Sequence, residues 1–225
     1  MKKIVLFFVL FFVPFFVPLT LLHAEEIKSF DASIAIGKDG SFTVSEQILY
    51  DFGSAEKHGI FRTIPHEKVN SDGKRFLMDI GSLSVVDGEE KPYDFTKSTD
   101  GKKIELKIGD PNTLITGEHA YVIRYTVRGG LTYFSDHDEL YWQVTGTQWQ
   151  VPMQAVSVAI TLPEAIEESS VRMTCYTGSS DSSNSDCTTS YAKNLITVSS
   201  NQPISPGEGV TAVVGFPKNI VAVLE

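Results

Sequence analysis

The fold is decided by residues 27–50, which read IKSFDASIAIGKDGSFTVSEQILY. Apolar and polar residues alternate on both sides of Lys38-Asp39-Gly40, and an alternation with a period of two is typical of a half-buried β-strand. An Asp-Gly pair tolerates the positive φ that a tight hairpin turn requires. The stretch therefore predicts an antiparallel β-hairpin, and its pattern recurs along most of the chain.

The residues after the hairpin repeat short alternating runs that are separated by turn signals such as Asp87-Gly88 and Gly129-Gly130. No window of helical length after residue 24 carries a convincing apolar stripe. About ten short strands at this spacing predict an all-β fold, an antiparallel β-sandwich of the immunoglobulin-like or jelly-roll-like kind. The predicted later strands cover 76–86, 92–97, 102–108, 119–128, 139–145, 154–162, 170–176, 191–198 and 209–216, and 51–75 is less regular.

The first 24 residues have the features of a secretory leader. Two lysines precede an uncharged apolar run over 4–22, and Ala24 then leads into an acidic pair. The run is about long enough to span a bilayer, but two prolines interrupt it, which favours a cleavable signal over a straight anchor. We expect a signal peptide or membrane anchor over 1–24 and an extracytoplasmic β-sandwich domain over 25–225, secreted or membrane-associated.

The charge of the chain limits its partners. There are 19 basic and 28 acidic residues, which give a net charge of −9. Since a polyanion repels nucleic acids and anionic lipid headgroups, we expect no nucleic-acid partner. The length is sufficient for one domain with its own core.

Cys175 and Cys187 are the two cysteines of the chain. Outside the cytoplasm a nearby pair usually oxidises. The loop between them has almost nothing apolar to bury, so packing alone would not order it. A bridge across a loop of this size stabilises the fold by about 3 kcal/mol in the chain-entropy model, and the sequence predicts a structural disulfide.

Glu46 interrupts the apolar face of its predicted strand. A carboxylate in that position needs a partner or must take up a proton. Arg62, within HGIFRTIP at 58–65, is the first candidate, and Arg124 is the second. We predict a partly buried structural ion pair between Glu46 and Arg62, because a catalytic pair of carboxylates would require a second acid at a set distance.

The densest aromatic signature is LYWQVTGTQWQVP at 140–152. Its alternation predicts that Trp142 faces the core and that Trp149 packs back after a bend at Gly146. The alternative is that Trp142 and Trp149 contact a ligand as a sugar-stacking platform, as in a carbohydrate-binding or glycan-processing domain.

Catalytic and cofactor motifs are missing from the sequence. It has no Gly-x-Ser-x-Gly elbow, no His-Glu-x-x-His and no phosphate-binding or dinucleotide loop. We therefore expect no catalytic residue, no cofactor and no metal. A weaker alternative is a calcium-stabilised adhesion-type domain, with ligands from Asp136-His137-Asp138-Glu139 or from Asp181, Asn184 and Asp186.

Four motifs in this order carry a family resemblance: 39–46, 58–65, 108–111 and 142–152. Together they resemble the N-terminal domain of predicted bacterial membrane proteins called domain of unknown function 2207 (DUF2207), over most of 27–218. The resemblance implies an extracytoplasmic β-sandwich held at the membrane and brings no established catalytic residues. Family members continue into transmembrane helices, so attachment here is expected through the leader or through a missing C-terminal helix. We expect a non-catalytic domain that binds a protein or an envelope component.

Overall fold

The computed structural model describes residues 24–69, 73–180 and 182–224. The predicted leader, apart from Ala24, lies outside the described residues. In the described part of the chain no helix is long and apolar enough to cross a membrane. The strands are β1 (Glu26–Ile36), β2 (Phe42–Asp51), β3 (Ile60–Pro65), β4 (Glu67–Val69), β5 (Arg75–Leu77), β6 (Asp79–Val86), β7 (Phe95–Thr99), β8 (Lys103–Ile108), β9 (Glu118–Arg128), β10 (Leu131–Tyr133), β11 (His137–Gln143), β12 (Val156–Thr161), β13 (Arg172–Gly178), β14 (Cys187–Ala192), β15 (Leu195–Ser200) and β16 (Gly209–Pro217), with a 3₁₀ turn at Glu168–Ser170.

The predicted hairpin is confirmed and lies at the centre of the largest sheet. This large sheet has the order β14-β15-β12-β1-β2-β9-β6. Within the hairpin Ile34 pairs with Val44 and Ile36 with Phe42, so the apolar residues of both strands share one face. That face is buried because the side-chain period of two places every second residue on the same side.

One pairing differs from the predicted antiparallel arrangement, because β1 and β12 run parallel. Parallel neighbours need a long crossover connection rather than a tight turn. Here the chain leaves β2, builds other strands and returns to the far edge of β1. Local alternation of residues carries no information on that return, so the sequence did not predict it.

A second sheet covers the buried face of the large sheet and completes the predicted sandwich. This small sheet has the order β10-β11-β16-β13. The ring of Trp142 meets that of Phe42 edge to face with centroids 5.2 Å apart. Trp149 meets Phe30 in the same way at 6.3 Å. Aromatic edge-to-face contacts add about 0.5–1.5 kcal/mol beyond the area they bury, and these two join the layers of the core.

The interval 51–75 is less irregular than predicted. It contains β3, which pairs with β8 in a side sheet of the order β3-β8-β7, and the β4–β5 hairpin begins within it. The alternation of β3 was hidden because one of its inward-facing residues is Arg62. The predicted strand 191–198 is likewise divided between β14 and β15, by a turn in which Lys193 takes a φ of +62°.

Two glycines allow two backbone segments to approach each other closely where the side sheet begins. Gly59 and Gly109 have φ values of +135° and +128°, which L side chains rarely adopt. A Cβ on Gly59 would lie 1.9 Å from the carbonyl oxygen of Ile108, and a Cβ on Gly109 would lie 1.9 Å from that of His58. The glycines in motifs 58–65 and 108–111 are therefore required by a single close approach of two backbones.

The predicted disulfide between Cys175 and Cys187 is present. Cys175 belongs to β13 in the small sheet, and Cys187 begins β14 in the large sheet. The bridge therefore joins the edges of the two sandwich layers as well as closing the polar loop between them.

Candidate functional site

Arg62 is buried, and its guanidinium is fully hydrogen-bonded. Nε and Nη2 donate to the two carboxylate oxygens of Glu46, each at 2.6 Å. Nη1 donates to the carbonyl oxygens of Thr63 at 2.6 Å and Thr145 at 2.7 Å, and Nη2 also donates to Val144 O at 2.7 Å. These bonds use all five N–H groups that a guanidinium has. The residues predicted as an ion pair therefore meet in a bidentate pair that is inaccessible to solvent.

The carboxylate of Glu46 has a further donor in Tyr125. The phenol hydroxyl donates to Glu46 Oε1 at 2.6 Å. Burial, together with the charge of Glu46, raises the pKa of Tyr125 well above its usual value. Burial, the largest single effect, would lower the pKa of Arg62, but the charge and hydrogen-bond effects of Glu46 and Tyr125 together outweigh it, and the pKa is raised. Arg62 is thus held in its charged form by neighbouring groups.

The turn after β11 is shaped around the same guanidinium. Gly146 has a φ of +70°, and a Cβ there would lie 3.1 Å from Arg62 Nη1. Trp149 Nε1 donates to the carbonyl oxygen of Thr145 at 2.9 Å, which also accepts from Arg62. The Thr145 hydroxyl accepts from the backbone N–H of Val210 at 2.9 Å. The motif at 142–152 is therefore a structural turn that receives Arg62.

Neither tryptophan is placed to contact a sugar. Trp142 is 2% exposed and Trp149 is 6% exposed, so neither ring offers an open face for stacking. The reason is the period of two: Trp142 shares the inward side of β11 with Leu140, and Trp149 folds back onto Phe30. This burial agrees with the predicted core positions of Trp142 and Trp149 and disfavours the alternative of a tryptophan platform.

Arg124, the second candidate partner of Glu46, lies on the other face of its strand. It neighbours the buried Tyr125 on β9, so its side chain points outward. There it forms a bidentate pair with the exposed Glu90, at 2.8 and 2.6 Å. The alternation of the strand therefore separates Arg124 from Glu46.

The acidic run at 136–139 does not converge on one point. Asp138 is buried and pairs with Lys218, whereas Asp136 binds His137 Nδ1 at 2.7 Å and Arg172 at 3.2 Å. Consecutive strand residues point to opposite faces, so they cannot surround one ion. Among the described residues no cluster of His, Cys, Asp or Glu could hold a metal. Asp181 of the other candidate loop lies outside the described residues.

An open cleft lies on the outward face of the small sheet, beneath the β4–β5 hairpin. Its volume is about 500 Å³. The floor combines aromatic, amide and hydroxyl groups, the roof carries charged and apolar groups of β4, and serines form one rim. These residues include Tyr141, Gln143, Tyr176 and Thr211 on the floor, Glu67, Lys68 and Val69 on the roof, and Ser179, Ser180 and Ser182 at the rim.

The register of the small sheet brings the floor residues together. Gln143 pairs with Thr211, which pairs with Tyr176 on the next strand, so the three lie in a row across the sheet. Tyr141 stands two residues before Gln143 on the same face and is 50% exposed. The floor therefore presents an accessible aromatic ring beside an amide and a hydroxyl.

Lys68, on the roof of the cleft, has a lowered pKa. Burial lowers its pKa from 10.5 to about 8, and the charge of Glu139 opposes that shift. The ammonium donates to the carbonyl oxygen of Gly130. The wall of the cleft also includes Trp142, whose Nε1 is buried without a hydrogen-bond partner in the described structure.

Sequence reasoning did not identify this cleft. The sequence did contain one signal for it. Three residues of β11 alternate with the inward-facing tryptophan and therefore face outward: Glu139, Tyr141 and Gln143. The roof gave no signal, because β4 and β5 are three residues long each and lie in the segment interpreted as irregular.

Comparisons with known proteins give one family match. The family model for the predicted membrane protein (DUF2207) N-terminal domain matches residues 26–216. No curated protein matches the chain significantly. Leukotriene A4 hydrolase from Saccharomyces cerevisiae is similar in structure with a TM-score of 0.48 and 8% identity, over 84% of this chain and 29% of that one. An M1 zinc metallopeptidase from Deinococcus radiodurans gives 0.44 and 10%, over 85% and 42%.

This chain thus spans less than half the length of those two structures. At such low sequence identities and TM-scores, the structural similarities support no argument about the activity of this protein.

Replacing Arg62 tests the buried pair. We expect Arg62→Ala to lower the free energy of unfolding by about 3–5 kcal/mol, because it leaves the Glu46 carboxylate buried without its main partner. Tyr125→Phe removes one hydrogen bond to the same carboxylate and should cost about 1.5–3 kcal/mol. Urea denaturation followed by tryptophan fluorescence measures both.

The matched control is Arg124→Ala, which breaks an exposed bidentate pair and should cost about 1 kcal/mol or less. Equal losses for Arg62→Ala and Arg124→Ala would contradict the account. If Arg62→Ala does not fold, the other two variants still test the account, because Tyr125→Phe should then lose more free energy of unfolding than Arg124→Ala.

The lowered pKa of Lys68 predicts a pH-dependent stability. Between its folded value of about 8 and its ordinary value of 10.5, the unfolded chain binds more protons than the folded one, so this contribution to stability rises with pH. Lys68→Met lacks it. From about pH 7.5 to about pH 9.5, the wild type should gain about 1–2 kcal/mol relative to Lys68→Met, measured by urea denaturation. Lys107→Met, at an exposed position of β8, controls for the change of side chain; an equal gain relative to both variants would contradict the prediction.

Proposed function

Since this chain belongs to the family of the predicted membrane protein (DUF2207) N-terminal domain, we propose that it is an extracytoplasmic, membrane-associated module that binds an envelope component without catalysing a reaction. The observation that carries the proposal is the open cleft between the small sheet and the β4–β5 hairpin. Its volume of about 500 Å³ falls in the range of small-ligand sites.

The composition of the cleft supports specific binding. Binding sites combine apolar and aromatic surface with a few placed polar groups that fix the orientation of the ligand. Here Tyr141 and Tyr176 supply aromatic surface, and Gln143 and Thr211 supply polar groups from the same face. All four lie on paired strands, so the floor is held in shape before a ligand arrives.

The charged groups of the molecule support binding better than catalysis. Glu46 and Arg62 are sealed in the core with every guanidinium proton engaged. At the cleft, Lys68 is engaged with a backbone carbonyl, and Glu139 lies 3.8 Å from His137. These groups already serve the fold, and the remaining floor groups are neutral.

An extracytoplasmic location is part of the proposal. It rests on the leader pattern over 1–24 and on the Cys175–Cys187 disulfide, since disulfides persist mainly in oxidising compartments. Attachment to the membrane would come from the leader or from a helix beyond the domain. A protein partner in the envelope remains part of the same proposal and is an outcome of the test below.

The state of the cysteines in cells tests the location. We expect the full chain to contain no free thiol, whereas a variant lacking residues 2–23 should keep both cysteines reduced in the cytoplasm. Alkylation of denatured extracts followed by mass analysis measures this, and a sample reduced first shows that both cysteines can react. Free thiols in the full chain would contradict the proposed location.

Photo-crosslinking in intact cells tests the binding site. With p-benzoylphenylalanine placed at Tyr141, we expect a covalent adduct with one envelope component, because this ring is exposed on the cleft floor. The matched control carries the same group at Phe61, an aromatic residue on β3 that is 57% exposed and is not part of the cleft lining. An absence of adducts at Tyr141, or the same adducts at both positions, would overturn the proposal.

A further inference from the structure

The floor of the cleft is the face of a sheet, and this restricts how a ligand can be recognised. The strands β11 and β16 are paired on both sides, with β10 and β13 at the edges. Their backbone groups are therefore occupied by the sheet. A peptide that binds by adding a strand requires a free edge, so a ligand on this floor must be recognised through side chains.

The side chains on the floor share one kind of chemistry. The two tyrosines have apolar rings with polar tips, Gln143 has both donors and an acceptor, and Thr211 has a hydroxyl. The serine rim adds further hydroxyls. A ligand that matches them has C–H faces to cover a ring and many hydroxyls at its edges, which is the chemistry of a sugar.

We propose that the cleft binds a short, uncharged saccharide segment of an envelope glycan. The proposal rests on the proposed function, because it names the ligand class of the same site. One sugar face would lie on the exposed ring of Tyr141, and the ring hydroxyls would bond to Gln143, Thr211 and Tyr176. In this proposal the aromatic contact with the sugar is made by the tyrosines of the outward face and not by the buried tryptophans.

The charges around the cleft favour a neutral ligand. The roof carries Glu67 and Lys68 next to each other, and Glu139 lies on the floor within electrostatic range of Lys68. These three charges sum to −1, and the protein as a whole carries −9. A polyanionic glycan would therefore be repelled, and a lipid chain would meet a lining in which hydroxyls and an amide are frequent.

Binding to defined saccharides tests the proposal. The full domain from residue 25 is applied to an array of neutral envelope-type oligosaccharides, including chitotriose, and any hit is measured by isothermal titration. We expect at least one neutral oligosaccharide to bind, and Tyr141→Ala to weaken it by about tenfold or more. Phe61→Ala is the matched loss of an exposed aromatic residue and should leave the affinity unchanged, and Tyr141→Phe should retain most of it.

The outcomes separate this inference from the proposed function. If no saccharide binds, or if Tyr141→Ala and Phe61→Ala bind equally, the saccharide assignment is wrong. Should crosslinking at Tyr141 then still capture one envelope protein, the cleft remains a binding site with a protein ligand. If the array and the crosslinking both fail, the binding module itself is refuted. Unchanged circular dichroism of Tyr141→Ala excludes unfolding as the cause of lost binding.

Discussion

The structure depends on one buried ion pair that connects three sheets. Arg62 extends from the side sheet, Glu46 and Tyr125 belong to the large sheet, and the carbonyl groups of Val144 and Thr145 follow the last residue of β11 in the small sheet. A buried pair of this kind adds little net stability compared with apolar packing, because both charges must be desolvated. Its value lies in geometry, since a planar guanidinium accepts few arrangements of its partners.

This pair also fixes the candidate site. Arg62 lies on β3, which leads within two residues of its end into β4 and the roof of the cleft. Its carbonyl partners lie at the end of β11, which carries Tyr141 and Gln143 on the floor. Roof and floor are therefore oriented by one side chain, although that side chain is buried and does not line the cleft. Replacing Arg62 would therefore change the cleft by displacing the strands that form it, and not by removing a lining group.

The disulfide acts at the other side of the same sheet. Cys175 stands one residue before Tyr176 on β13, and its partner begins β14 of the large sheet. The bridge holds the edge strand that carries Tyr176, together with the serine rim of the following loop. The core pair and the covalent bridge thus act on opposite ends of the cleft floor, with the paired strands β11 and β16 between them.

The sequence by itself determined the elements that depend on neighbours along the chain. The alternation in 27–50, the inward direction of Trp142 and the disagreement of Glu46 with its apolar strand all follow from a period of two, which each strand carries within itself. The tertiary structure decided what depends on distant segments: the parallel return of β12 to β1, the carbonyl groups of Val144 and Thr145 that receive Arg62, and the cleft. The roof and floor of that cleft are separated by more than sixty residues of chain, and local alternation cannot encode which surfaces meet across such a distance, because that is settled by packing and by the few arrangements that satisfy a buried charge.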